Sequence, residues 1–384
     1  LMVVQCVSMC TLLLITLGFP PTIGGIQRLM GRRARLASDA IVVLAPEEPG
    51  CQNYDPSCPF PVYRWPSWGG HIPGMKRLLQ MFWSLWFGWR LLRHYPITGI
   101  ECGQSLPFGL VALVLRWLTG TPYAVWAYGD DICKPSRWPL VRPLLQSVLS
   151  QATQIYAISQ ATGQVLRHLG VPDGQVMIIH PWADPSVFTP TGPDVRSRYQ
   201  LGERPTVVTV ARLEQRKGVH LLLQAMTVVC QHMPDAVLLV VGDGSQQIPL
   251  LSLRDSLGLH DNVIFVGAVD DALLPAYYRA GHVFALAPTP DVDRGEMEGF
   301  GLVYIEASAC GLPTVGLHTG GVAEAVLDGV TGLLVREADP KAIGAAIVRL
   351  LTEPDLARRL GAAGRARAVV LAAAAGGGLD WAGR

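Results

Sequence analysis

Charge is scarce in this chain, and neither sign dominates. Of 384 residues only 16% are Asp, Glu, Lys or Arg, and the formal net charge is +1. A domain built to bind nucleic acid needs a basic face that neutralises phosphates, so the sequence offers no case for that partner. The little charge there is divides unevenly. Residues 1–190 hold 14 Lys/Arg against 9 Asp/Glu, whereas residues 191–384 hold 17 against 21. A mildly basic first half suits an anionic ligand or a membrane surface. The eight cysteines are scattered, with no Cys-x-x-Cys pair and no His-rich partner segment. That removes a zinc site and a disulfide framework from consideration and leaves buried thiols in a reducing compartment. Cys51 and Cys58 are close enough in sequence to bridge a loop, but free thiols are the expected state. The first 19 residues are apolar but lack a basic leader and a small-residue cleavage site, so they do not read as a signal peptide. Leu12 to Leu17 reads instead as a buried first strand. Met9 stands just ahead of it, and residues 1–8 read as upstream sequence with no structural role.

What is present is apolar bulk: half of the residues are hydrophobic and ten are Trp. The length suffices for two domains of ordinary size, each with its own core. Both halves alternate short β-rich apolar runs with helical stretches, the pattern of parallel sheets covered by helices. In the first half the clearest strands lie near residues 11–17, 40–44, 99–102, 124–127, 154–158 and 176–179. In the second they lie near 206–211, 236–241, 262–266, 282–286, 314–316 and 332–335. Residues 186–194, rich in Pro, Gly and Thr, read as the linker. The expected fold is therefore α/β, with two doubly wound, Rossmann-like domains at 1–188 and 189–384 facing each other across a cleft. Ligands of such sheets bind beyond the C-terminal ends of the strands.

Several candidate loops follow strands. Gly24-Gly25 comes after the first strand and ahead of a helical stretch, where glycines let the backbone approach a phosphate, although a plain strand-to-helix turn has the same letters. Tyr128-Gly129-Asp130-Asp131 follows the fourth run, 124–127. Arg212 and Lys217 follow the 206–211 strand. Two cations at a strand end can clamp a departing diphosphate, or simply form a solvated loop. Gly242-Asp243-Gly244 is a weaker turn signal. Glu298 and Glu306 stand eight residues apart around Gly299-Phe300-Gly301, which opens a helix stopped by Gly311 and Pro313. A glycine turn at a helix start presents free N–H groups and the positive end of the helix dipole. Residues eight apart return to within about 80° of one face. The pair can point into one cleft or can be acids at a helix start.

Residues 76–93 form a helix-length run with Trp83, Trp86 and Trp89 between basic flanks (Lys76, Arg77, Arg90, Arg93). The run between the charged flanks is too short to span a bilayer. It reads as an interfacial helix that reaches a lipid, or as a helix covering the first sheet, and the two can hold for different faces.

Arg212, Lys217, Glu298 and Glu306 in this order, with Gly24-Gly25 near the front, resemble the family-4 retaining glycosyltransferases of GT-B fold. The resemblance runs from about residue 11 to 367. It includes Asn262-Val263-Ile264-Phe265-Val266-Gly267, Glu306-Ala307-Ser308-Ala309-Cys310-Gly311-Leu312-Pro313, Gly320-Gly321-Val322-Ala323-Glu324 and Gly329-Val330-Thr331-Gly332. Phe19-Pro20-Pro21-Thr22-Ile23-Gly24-Gly25-Ile26-Gln27 and Val303-Tyr304-Ile305-Glu306 look most like bacterial phosphatidylinositol-mannoside mannosyltransferases.

The resemblance implies that a nucleotide-sugar sits on the second domain. Arg212 and Lys217 would stabilise the diphosphate, helped by the backbone of Gly299, Phe300, Gly301 and Leu302. Glu306 would hold the ribose hydroxyls, Glu298 the sugar hydroxyls, and the backbone near Val269 would meet the base. Gly24 and Gly25 would pass the phosphates, Tyr128 would meet the donor sugar, and Gln27 would lie toward the acceptor. No cofactor and no metal are implied: two cations and a helix end supply the positive charge, and Asp291-Val292-Asp293 has the letters of a metal motif only within a Pro/Gly-flanked loop. The implied reaction moves a hexose, mannose from GDP-mannose, to a lipid-linked or polyol acceptor at the inner face of the plasma membrane. A UDP-sugar enzyme of surface-polysaccharide synthesis and a non-catalytic nucleotide-sugar-binding protein stay open as alternatives. Three residues or segments depart from the family pattern. Tyr128 stands where His is frequent, Trp182 replaces a usual glycine next to the linker, and the Ala/Gly-rich tail 368–384 lacks the usual Trp-bearing amphipathic helix.

Overall fold

Continuous runs of branched and aliphatic residues form the centre of each sheet, buried on both faces as parallel strands require. In a computed structural model, which describes residues 11–22, 24–67, 75–291 and 294–377, the chain divides into two units, the second being His180–Ala375. Upstream residues 1–8, Ile23 and the Val292-Asp293 pair lie outside the described residues, as does the tail beyond Gly377.

The first unit carries strands β1 (Thr11–Ile15), β2 (Ile41–Pro46), β3 (Val62–Trp65), β4 (Ile97–Cys102), β5 (Tyr123–Ala127), β6 (Gln154–Ala157) and β7 (Val176–Ile178). They lie in the order β3-β2-β1-β4-β5-β6-β7, every pairing parallel. Strand β3 was not expected from the sequence. It pairs with β2 at the sheet edge, and only Trp65 of its four residues is buried. The core gathers Leu13, Ile15, Val42, Trp65, Ile100 and Phe108. Beneath it a charged pair is sealed in: Arg33, on the Gly25–Leu36 helix, donates to Glu101 of β4 at 3.0 and 2.5 Å, with side-chain exposures of 3% and 0%. Trp126 Nε1 donates to the same carboxylate at 3.3 Å. This fork fixes the helix that follows the glycine turn onto the sheet.

The second unit carries β8 (Thr206–Val210), β9 (Val237–Val241), β10 (Val263–Gly267), β11 (Val283–Ala285), β12 (Thr314–Leu317) and β13 (Gly332–Val335). Their order is β10-β9-β8-β11-β12-β13, again all parallel. Each of these six strands meets an expected run. The Pro/Gly/Thr stretch 186–194 belongs to this unit, ahead of which the contacts divide the chain at Ile179–His180. Its carbonyls explain why. Arg365, on the Pro354–Gly377 helix, donates to Pro185, Phe188 and Ala309 carbonyls at 3.0, 2.5 and 2.6 Å. Arg279 donates to Pro193 and Thr189 carbonyls at 2.7 and 3.3 Å. Trp182 is buried within the same unit. Cys51 and Cys58 are both free thiols.

Candidate active site

In the second sheet the strand order reverses direction between β8 and β11, so the loops leaving these two strands open a crevice beyond their ends. The loop after β8 is held down by Ala211 N donating to Val241 O at 3.0 Å and Leu213 N to Asp243 O at 2.9 Å. It then makes a 3₁₀ turn over Gln215–Lys217 and leaves through Gly218 at φ +67°. A Cβ on Gly218 would stand 1.7 Å from the Ala287 carbonyl oxygen, so only glycine lets this turn sit against the strand β11 exit. Thr289 N closes the arrangement by donating to Arg216 O at 2.9 Å.

The loop after β11 brings the carboxylates. Gly321 N donates to Glu298 O at 2.9 Å, and a Cβ on Gly321 would lie 2.0 Å from Gly299 O. Backbone therefore clamps backbone, and the Glu298 side chain is aimed by its main chain. Lys217 Nζ donates to Glu298 Oε2 at 2.5 Å, the two side chains being 15% and 12% exposed. Beyond Glu298 the chain turns at Gly301 (φ +89°) into the Leu302–Ala309 helix, with no acid in its first turn. The leading N–H groups of that helix have no carbonyl partner within it and form the positive end of its dipole.

The other expected residues are distributed as follows. Arg212 shares the loop of Lys217, but its side chain is 68% exposed and lies 2.8 Å from Glu214. Val269 is half-buried just after β10. Glu306 is fully buried and accepts the Tyr278 hydroxyl at 3.1 Å. Phe300 is buried as well, its ring stacked on His180 at 5.2 Å between centroids, and His180 Nε2 lies 2.9 Å from Glu324 Oε2. Sequence reasoning passed over Arg216, which reaches Glu214 at 3.0 Å and lies 3.9 Å from both Glu296 and Glu298. Its only signal was adjacency to Lys217.

In the first unit Gly24 caps the helix after β1, Gly25 is its exposed first residue, and a Cβ on Gly25 would meet open space. Gln27 folds back toward Gly24: a Cβ there would meet its amide oxygen at 2.2 Å. Tyr128 follows β5, and its N–H donates to Asp131 Oδ1 at 2.8 Å. Asp131 also accepts the Ser105 N–H at 3.1 Å; burial raises its carboxyl above the ordinary value while these hydrogen bonds oppose the rise. The Tyr128 hydroxyl is buried with no partner among the described residues, and burial, aided by the Asp131 charge, lifts its phenol well above the ordinary value. It is a neutral donor.

The Met75–His94 helix answers the question of its faces. Gln80, Ser84, Gly88 and Leu91 are buried, and a Cβ on Gly88 would touch Leu115 Cδ1 at 2.9 Å, so small and polar residues let it nest on the Phe108–Thr119 helix. Leu78, Phe82 and Trp86 are left outside at 63%, 58% and 38% exposure. Arg90 and Arg93 lie over Trp86 and Trp89 at 4.8 and 4.1 Å. Among the described residues, no helix is long and apolar enough to cross a membrane.

Comparison with known proteins places this geometry in a lineage. Residues 194–367 match the family model described as glycosyl transferases group 1, and residues 25–182 match that of a glycosyl transferase 4-like domain. A GDP-mannose-dependent alpha-(1-6)-phosphatidylinositol monomannoside mannosyltransferase of Mycolicibacterium smegmatis is 32% identical over 368 residues, 92% of each chain. A GDP-mannose-dependent mannosyltransferase of Corynebacterium glutamicum acting on the monoacylated form of that lipid is 29% identical over 92% of each chain. Among solved structures, sucrose-phosphate synthase of Thermosynechococcus elongatus superposes with a TM-score of 0.78 at 25% identity, over 94% of this chain and 95% of that one. Anabaena HepE in complex with UDP-glucose gives 0.79 at 20% identity, over 96% and 99%.

Proposed function

The chain belongs to the group 1 glycosyl transferases, family-4 enzymes of GT-B fold, and on that premise we propose that it transfers mannose from GDP-mannose to a phosphatidylinositol-type lipid acceptor with retention at the anomeric carbon. The observation that carries the reading is the Lys217–Glu298 pair at the switch point of the second sheet, set beside the start of the Leu302–Ala309 helix. The donor diphosphate would lie against that helix start and take Lys217 as its counter-ion, with Arg212 swinging in from the solvent edge. Glu298, released from Lys217, would accept hydroxyls of the mannosyl ring. The base would meet the backbone near Val269. Glu306, buried against Tyr278, would have to turn outward to meet the ribose hydroxyls.

On the first unit, Gly24 and Gly25, Gln27 and Tyr128 are the residues that the family resemblance assigns to the donor phosphates, the acceptor and the donor sugar. The C–O bond to the diphosphate breaks as the acceptor oxygen attacks the same face. The departing phosphate takes the acceptor proton, so no protein nucleophile is needed. Positive charge from two side chains and the helix end stabilises the leaving group without a divalent metal. The outward Leu78, Phe82 and Trp86, with basic residues at both helix ends, would rest in the headgroup zone at the inner face of the plasma membrane.

The test is turnover with radiolabelled mannose, glucose and galactose donors, carried by GDP or UDP, against phosphatidylinositol and its monomannoside. Mannosylated lipid formed from GDP-mannose in the presence of EDTA is the expected result. Transfer from UDP-sugars alone would overturn the donor assignment, and transfer abolished by EDTA would overturn the metal-free mechanism.

A further inference from the structure

The charged side chains of the second unit's site form a chain of alternating sign. Arg212 Nη1 lies 2.8 Å from Glu214 Oε1, and Arg216 Nε donates to Glu214 Oε2 at 3.0 Å. Arg216 Nη1 lies 3.9 Å from Glu298 Oε2, and that same oxygen accepts Lys217 Nζ at 2.5 Å. Glu296 contributes a carboxylate oxygen 3.9 Å from Arg216 Nε. Three cations thus stand among three carboxylates, and the cluster by itself is neutral. A loop meant only to attract an anion would carry an excess of positive charge. This one binds each cation to a carboxylate that a phosphate must displace.

We propose that Glu214 is a positioning residue that limits how tightly the site holds a nucleoside diphosphate, and that Arg216 is the fixed centre of the exchange. The inference rests on the reading of this loop as the donor-diphosphate site. Glu214 bridges two arginines of unequal freedom: the Arg212 side chain is 68% exposed, the Arg216 side chain 14%. The exposed guanidinium is the one able to move, and turning it toward a phosphate draws it away from Glu214. Glu214 therefore competes with the ligand for Arg212 and weakens binding. Arg216 is held in place by the Glu214 contact and by its own carbonyl, which accepts Thr289 N at 2.9 Å. When Lys217 turns to a phosphate, Arg216 is the cation left beside Glu298, and it keeps that carboxylate from swinging toward the diphosphate.

The two residues therefore have opposite signatures. Glu214→Gln keeps size and one acceptor oxygen while removing the charge, and should tighten binding of GDP, or of UDP if that is the base accepted, by roughly fivefold, the scale of one partly exposed ion pair. Arg216→Gln should weaken the same binding by a similar factor, with partial recovery in Arg216→Lys. Isothermal titration of the full-length chain with GDP and with UDP reads both, and product-inhibition constants check them in turnover. Thermal melts of the unliganded variants report folding. A merely structural role for Glu214 would loosen binding and lower the melting temperature together, so tightening is the diagnostic sign. If wild type binds a nucleotide and Glu214→Gln binds it equally or more weakly, this inference is overturned while the donor-site reading stands. If wild type binds neither nucleotide, both fall.

Discussion

Replacing Lys217 with alanine removes the cation that the proposed mechanism sets against the departing diphosphate. The side chain is 15% exposed, so solvent screens it only in part. A unit charge about 4 Å from a phosphate oxygen, at an effective dielectric of about 20, is worth about 4 kcal/mol. The whole of that is not available to the transition state. Nζ begins 2.5 Å from Glu298 Oε2 and must exchange one anion for another. Part of the phosphate charge is also present before the sugar–oxygen bond breaks, and that part helps binding more than rate. Taking half the Coulomb figure leaves about 2 kcal/mol, which corresponds to roughly a thirtyfold loss in kcat. Initial rates of mannosyl transfer at saturating GDP-mannose and lipid acceptor measure it, with circular dichroism to confirm the fold. A folded Lys217→Ala protein whose kcat stays within about threefold of wild type would refute the reasoning, since a leaving-group counter-ion should exceed that.

Three further outcomes follow from the geometry. Gly321→Ala would drive a methyl group to 2.0 Å from Gly299 O and 2.7 Å from Phe300 Cα, so the turn must shift; kcat should fall by more than about tenfold, because misplacing a charged group costs catalysis steeply. Arg33→Met leaves Glu101 buried without its guanidinium and should cost about 3–5 kcal/mol in chemical unfolding, whereas adding Glu101→Leu should restore most of it, as apolar replacements of sealed ion pairs do. A double variant no more stable than Arg33→Met would contradict this. Phe82→Asp, at a side chain 58% exposed, should leave GDP-mannose binding intact and reduce cosedimentation with vesicles containing phosphatidylinositol by several-fold, and unchanged vesicle binding would remove that helix from the membrane surface.

The sheets were legible because their central strands are continuous apolar runs bounded by turns, as in Val237–Val241, a signal that does not depend on tertiary context. Strand β3 escaped because four residues between Pro61 and Pro66 give no measurable period, and its half-buried edge admits Arg64, which bonds to Asp55 and to the Pro46 and Pro20 carbonyls. The Met75–His94 helix was recognisable as an element, but its orientation ran against hydrophobicity. Close helix packing selected Gln80, Ser84 and Gly88 for the interior and sent Leu78 and Phe82 outward. Arg33 and Glu101, far apart in sequence, carried no local sign of pairing. In the site, chain order and family resemblance pointed to Lys217 and Glu298. They did not reveal that Arg216 is better held than Arg212, because exposure depends on how the loop closes against Thr289.

The close approach of Gly218 to Ala287 and of Gly321 to Gly299 separates two kinds of heritable information. Main-chain atoms shape the cradle at the strand ends, and a main-chain contact tolerates almost any neighbouring side chain. On the proposed function, sugar and base preference can then drift through replacements at surrounding positions without rebuilding the turn assigned to the phosphates. A directed-evolution library aimed at a new donor should hold these two glycines constant and diversify what projects from the loops around them.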